Sequence, residues 1–304
     1  MNEVFSLMRK DILSFAKGKT LQQFCILHSA FCIQISVYRN DKLKFPSTSF
    51  LQKIPRPLDL SVKICYNKDM NVPDTFGQYK NKRRNTMKSL NKYIDHTNLK
   101  PAATRADIEK LCADAREWDF ASVCVNPCNI ALCKELLAGT TVMTCTVIGF
   151  PLGQNTTAVK VAETEDAYAL GCDEFDMVIN VGRLKDGDTD YVKNEIAAIV
   201  AAAKGRTVKV IIETGLLTDE EKATATRLAC EAGAHFVKTC TGVSAGVATV
   251  ADVQIMKANL SGHAVIKASA GIRTYEDAVA LIEAGASRLG TSAGISIVTS
   301  APKN

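Results

Sequence analysis

From residue 91 onward the chain alternates short β-rich runs with helical stretches, and it does so eight times. "KYIDH" leads to "RADIEKLCADAREW", "ASVCV" to "NIALCKELLA", and "VMTCTVIGF" to "TAVKVAETEDAYALG". "EFDMVIN" leads to "YVKNEIAAIVAAAK", "TVKVIIETG" to "DEEKATATRLACEAG", "AHFVKTC" to "TVADVQIMKAN", and "AVIKASAG" to "YEDAVALIEAG". "RLGTSAG" closes the series with a C-terminal turn or short helix. Strands separated by helices pair in parallel through right-handed crossovers. Glycines in "ALG" and "EAG" suit the left-handed position just past a helix end. Eight units within about 210 residues predict a single (β/α)8 TIM barrel. An open doubly wound sheet is the alternative, but no GxGxxG run follows the first strand.

Residues 1–86 read differently. They hold 15 Lys+Arg against 6 Asp+Glu, four prolines (Pro46, Pro55, Pro57, Pro73) and no sustained helical or strand periodicity. The expectation is a basic, poorly ordered and dispensable extension with a short helix near Val4–Ala16; the barrel domain then occupies 87–304. An RNA-binding arm or a targeting extension is the competing reading. The barrel itself is slightly acidic and has no footprint for nucleic acid. No run approaches a membrane span, since the uncharged stretch Thr20–Tyr38 is broken by polar residues. Of the 11 cysteines, Cys124, Cys145, Cys172, Cys230 and Cys240 sit in or beside apolar runs, and Cys124, Cys128 and Cys133 lack zinc-ligand spacing, which predicts reduced thiols in the cytoplasm, no metal and no cofactor.

Lys238 in "AHFVKTC" and Lys267 in "AVIKASAG" stand in apolar runs assigned to adjacent strands six and seven. A buried ammonium costs several kcal/mol unless it is paired or neutralised. Near strand C-termini of a barrel, both would face the active-site mouth. Two ammonium groups within about 4–6 Å disfavour each other's protonation, so one of them can serve as a nucleophile toward a carbonyl and form a Schiff base. Asp176, flanked by Phe175 and Met177 inside strand four, is the candidate proton carrier. Asp95 and Thr97 occupy the mouth position after strand one, and Glu213 ends strand five, where it can orient a lysine. His96 and His235 carry no partner motif and are given no chemistry. "TCTG", "SAGIRT" and "GTSAG" follow strands six, seven and eight, where small residues let backbone N–H groups approach an anion. A phosphorylated carbonyl substrate follows.

These segments, with "YIDHTNLKP", "VCVNP" and "VIGFPLGQNTT", resemble the deoxyribose-phosphate aldolase family, class I aldolases on a TIM barrel. The resemblance covers about residues 88–298. It implies reversible cleavage of 2-deoxy-D-ribose 5-phosphate to D-glyceraldehyde 3-phosphate and acetaldehyde, with a homodimer as a compatible assembly. It also implies that Lys238 is the Schiff-base lysine, Lys267 the lysine that tunes it, and Asp176 the proton-relay carboxylate. Thr241, Gly242, Gly271, Gly290 and Ser292 take substrate or phosphate positions, joined by Asp95 and Thr97, while Cys124 matches a strand-two cysteine near the site. Two residues depart from the pattern: Cys240 replaces a serine, and Ala270 replaces the first glycine of a pair. A non-catalytic phosphate-binding barrel and a transaldolase-like enzyme are the alternatives; the first has no use for two crowded lysines and a buried aspartate.

Overall fold

A computed structural model of the chain describes residues 24–28, 31–35 and 90–302, position 245 excepted. The helix expected near Val4–Ala16, and most of the extension, lie outside the described residues. Within it, Phe24–His28 pairs antiparallel with Phe31–Ile35, a strand pairing that the sequence reading did not anticipate.

Eight parallel strands close into a barrel. They are β1 (Ile94–Asn98), β2 (Ser122–Val125), β3 (Met143–Ile148), β4 (Glu174–Val178), β5 (Thr207–Ile211), β6 (Phe236–Lys238), β7 (Val265–Ser269) and β8 (Ala286–Thr291). Pairing runs in chain order, and β8 closes on β1 through Leu289 opposite Ile94. The outward strand residues pack on a ring of helices: α1 (Arg105–Glu117), α2 (Ile130–Leu136), α3 (Thr157–Ala169), α4 (Val181–Lys185), α5 (Thr189–Ala202), α6 (Asp219–Glu231), α7 (Val250–Asn259), α8 (Tyr275–Ala284) and α9 (Gly294–Thr299). Ile94, Val123, Phe175, Val208, Val210, Val237, Ile266 and Leu289, all fully buried, supply the strand side of that interface.

Local sequence explains the element ends. Thr104, Thr218 and Thr274 each accept from the backbone N–H three residues on, and Asp107, Glu221 and Asp277 reach back to complete capping boxes. The β4–β5 crossover carries two helices rather than the one expected. Gly187, at φ +76°, ends α4, and the Asp188 side chain caps α5. No helix among the described residues is long and apolar enough to cross a membrane.

Candidate active site

Strand side chains alternate between the helix layer and the barrel interior. That period puts Asp95 (β1), Glu174 and Asp176 (β4), Lys209 (β5), Lys238 (β6), Lys267 (β7) and Arg288 (β8) inside, and the register brings them together. Asp176 lies opposite Lys209, and Lys238 opposite Lys267. Asp176 Oδ2 accepts from Lys238 Nζ and from Lys267 Nζ, each at 2.7 Å. Its other oxygen accepts from Lys209 Nζ at 2.9 Å and from the Cys145 thiol at 3.2 Å. Asp95 meets Lys267 at 2.6 Å, Arg288 at 2.8 Å and the Ser122 hydroxyl at 2.7 Å. Glu174 meets Lys209 at 2.6 Å and Arg288 at 2.5 Å. Four cations and three carboxylates thus fill a space where apolar residues are usual.

Burying charges is tolerable only where every one is paired and hydrogen-bonded. Burial alone would raise Asp176, but Lys209, Lys238 and Lys267 outweigh it and hold the carboxyl well below its usual range. Asp95 is shifted the same way: burial opposes ionisation, and Arg288 and Lys267 prevail. For Lys267 burial favours the neutral amine, yet Asp176 and Asp95 keep it charged beyond the ordinary lysine range. Lys209 behaves likewise, burial being outweighed by Asp176 first among its charged partners. The two depressed carboxylates add stability that is present above about pH 4 and is lost as pH falls through their folded values. The two raised lysines add stability that is present below about pH 10 and is lost as pH rises through theirs. The melting temperature of the barrel is therefore expected to plateau across the neutral range and to fall on both sides. A steady decline through pH 6–8 would show that this cluster is not ionised as described.

A cleft of about 840 Å³ opens at the C-terminal ends of the strands. Of the three interior lysines, only Lys238 lines it; Lys209 and Lys267 are fully enclosed beneath. Thr97, Thr241, Gly242, Gly271, Gly290 and Ser292 also line the cleft, as the sequence predicts. Three expectations need correction. Asp95 is no mouth residue: it is fully buried in the ion cluster, because its strand runs three residues further, to Asn98. Cys124 is near the site, its thiol within 4.8 Å of Cys145 Sγ and an Asp176 oxygen, but it is fully buried with Cys145 and Val147 and does not line the cleft. Glu213 orients a loop instead of a lysine. Held at φ +57°, it accepts the Thr241 backbone N–H on both oxygens at 3.3 Å. Ala270 sits at φ +81°, where glycine would be unstrained, so its substitution carries a backbone cost of about 1 kcal/mol.

Lys209, Glu174, Arg288, Ser122 and Cys145 escaped the sequence reading. Lys209 stands in "TVKVI" with the same apolar flanks that singled out the other two lysines. Donor atoms of Cys124, Cys145 and Asp176 lie within 4.8 Å of one another, the spacing of a metal site. The Lys209 ammonium, 3.2 Å from Cys145 Sγ, and the remaining cations oppose a metal ion there.

The model of the DeoC/LacD family aldolases matches residues 90–299. A Streptococcus suis protein named deoxyribose-phosphate aldolase is 57% identical over 212 residues, 70% of this chain and 96% of the relative. A structure provisionally named deoxyribose-phosphate aldolase, from Coccidioides immitis, superposes with a TM-score of 0.68 at 42% identity, covering 69% of this chain and 85% of the other. The Aeropyrum pernix deoxyribose phosphate aldolase, described as a tetramer, gives 0.64 at 33% identity, covering 69% and 90%. A buried lysine at the floor of a cleft, with two further lysines and a carboxylate beneath it, accompanies these matches over nearly the whole barrel, and the chain belongs to the DeoC/LacD aldolase family.

Proposed function

We propose that the protein reversibly cleaves 2-deoxy-D-ribose 5-phosphate to D-glyceraldehyde 3-phosphate and acetaldehyde through a Schiff base on Lys238. One observation carries this reading: Lys238 alone among the interior lysines lines the cleft, and its ammonium rests on the same Asp176 oxygen as Lys267. The relatives that share the barrel supply the substrate's name, and the small-residue loops around Gly242, Gly271 and Ser292 suit its phosphate.

The chemistry follows from charge. The neutral amine of Lys238 adds to the aldehyde carbon C1 and, with loss of water, becomes an iminium. That species keeps a positive charge where the ammonium stood, so the three carboxylates below stay compensated. The iminium withdraws the C2–C3 bonding pair as the C3 hydroxyl gives up its proton. D-Glyceraldehyde 3-phosphate leaves and a neutral enamine remains. At that stage Asp176 has lost one of its three cations, and its proton affinity rises. It takes the hydroxyl proton, directly or through water, as the C2–C3 bond breaks, and then returns it to C2, which restores the iminium. Lys267, held charged by two carboxylates, positions Asp176 and supplies the field against which this exchange runs. Water then adds to the iminium and releases acetaldehyde.

A cytoplasmic homodimer with a dispensable segment 1–86 belongs to the same reading. Borohydride reduction in the presence of acetaldehyde, followed by mass mapping, tests its core. An ethyl adduct on Lys238 is expected, and an adduct on Lys267 instead would reverse the two roles.

A further inference from the structure

Ser269 opens the "SAGIRT" segment read from sequence as an anion loop, but its side chain was given no role there, and the ion cluster does not use it. It ends β7, two residues beyond Lys267 and on the same strand face, about 6.6 Å nearer the mouth. It is 5% exposed and lines the cleft. Its backbone is held from β6: the Thr239 hydroxyl donates to the Ser269 carbonyl at 3.1 Å and accepts from its N–H at 3.0 Å. The side-chain hydroxyl has no partner among the described residues. A buried hydroxyl left without a partner is unfavourable, which points to a ligand group that completes it.

Gly290 shows where that hydroxyl points. A Cβ on Gly290 would stand 2.3 Å from Ser269 Oγ and 3.0 Å from Lys267 Cε. No positive φ calls for glycine at this position. The missing side chain makes room for Oγ beside the Lys267 head group, across the strand pair from Lys238. On the other side of Ser269 the chain runs directly into Ala270 and Gly271, the loop that suits phosphate.

We infer that Ser269 binds the substrate hydroxyl lying between the Schiff-base carbon and the phosphate, and that it selects acceptor aldehydes bearing that group. The inference rests on the aldolase reading above. With C1 on Lys238 and the C5 phosphate at the β7 and β8 loops, the C3 hydroxyl belongs to Asp176. The C4 hydroxyl, which is C2 of D-glyceraldehyde 3-phosphate, then falls at Ser269. A serine hydroxyl both donates and accepts, which matches a hydroxyl partner.

The test runs the reaction in the synthetic direction with acetaldehyde and two acceptors, D-glyceraldehyde 3-phosphate and 3-phosphooxypropanal, which lacks the hydroxyl. Ser269→Ala should lower kcat/KM roughly tenfold for the first acceptor and leave the second unchanged. An equal fall on both, the mark of a packing or phosphate role, would overturn the inference, as would no fall on either. Borohydride trapping of acetaldehyde on Lys238 accompanies both proteins. Wild type that traps nothing overturns the aldolase reading and this inference with it; intact trapping with an unchanged acceptor ratio overturns this inference alone.

Discussion

Lys238→Ala is expected to abolish both substrate cleavage and borohydride trapping of acetaldehyde while the barrel stays folded. Turnover should fall on the order of 10⁴-fold or more, because no other amine can replace the covalent route. Lys209 and Lys267 are close in sequence setting but enclosed at 0% exposure, and each is fixed to at least two carboxylates. Folding should tolerate the change. Asp176 keeps Lys267 at 2.7 Å and Lys209 at 2.9 Å, so no carboxylate is left alone, and the cluster moves to three cations against three anions. Circular dichroism and a melting curve close to wild type, together with a silent enzyme, are the expected pair of results. Residual trapping in the variant would assign the nucleophile elsewhere.

The architecture was legible because it repeats. Eight apolar runs broken by capped helices leave few topologies, and Gly242 and Gly271 sit after the strands where the pattern places them, while Gly290, expected after the last strand, lies inside β8 and still lines the cleft. The depth of each residue within the barrel was less legible. Asp95 and Thr97 are two apart on one strand and share a face, yet one is sealed in the ion cluster and the other lines the cleft. Sequence gives the face; the stagger between strands, which decides the level, comes only from closure. Lys209, Glu174 and Arg288 show a second gap. Each is a charge in a strand, and each becomes intelligible only as the partner of a charge on another strand 35 or 114 residues away. Weighing buried lysines one at a time found two of three. Matching interior cations to interior carboxylates across the whole barrel would have found the third.

That shared accounting gives Asp176→Asn the largest combined effect. An amide has one oxygen where the carboxylate has two, and both are occupied. If the amide nitrogen takes the Oδ2 position, it faces the ammonium groups of Lys238 and Lys267; if it takes Oδ1, it faces Lys209 and the Cys145 thiol. Neither orientation satisfies all four donors. The substitution also leaves four cations against two carboxylates in a closed interior, and breaking a buried pair of this kind costs about 3–5 kcal/mol. The rate should fall about 10²–10⁴-fold through loss of the proton carrier, measured at a temperature where the variant is folded. The two effects separate by experiment. The melting temperature reports the ion cluster. Exchange of the acetaldehyde methyl protons with deuterated water reports proton transfer at C2 without the second aldehyde. A variant that melts early but exchanges at the wild-type rate would confine Asp176 to holding the lysines, and Glu174, whose Oε2 is 2.6 Å from Lys209, would become the next carboxylate to test.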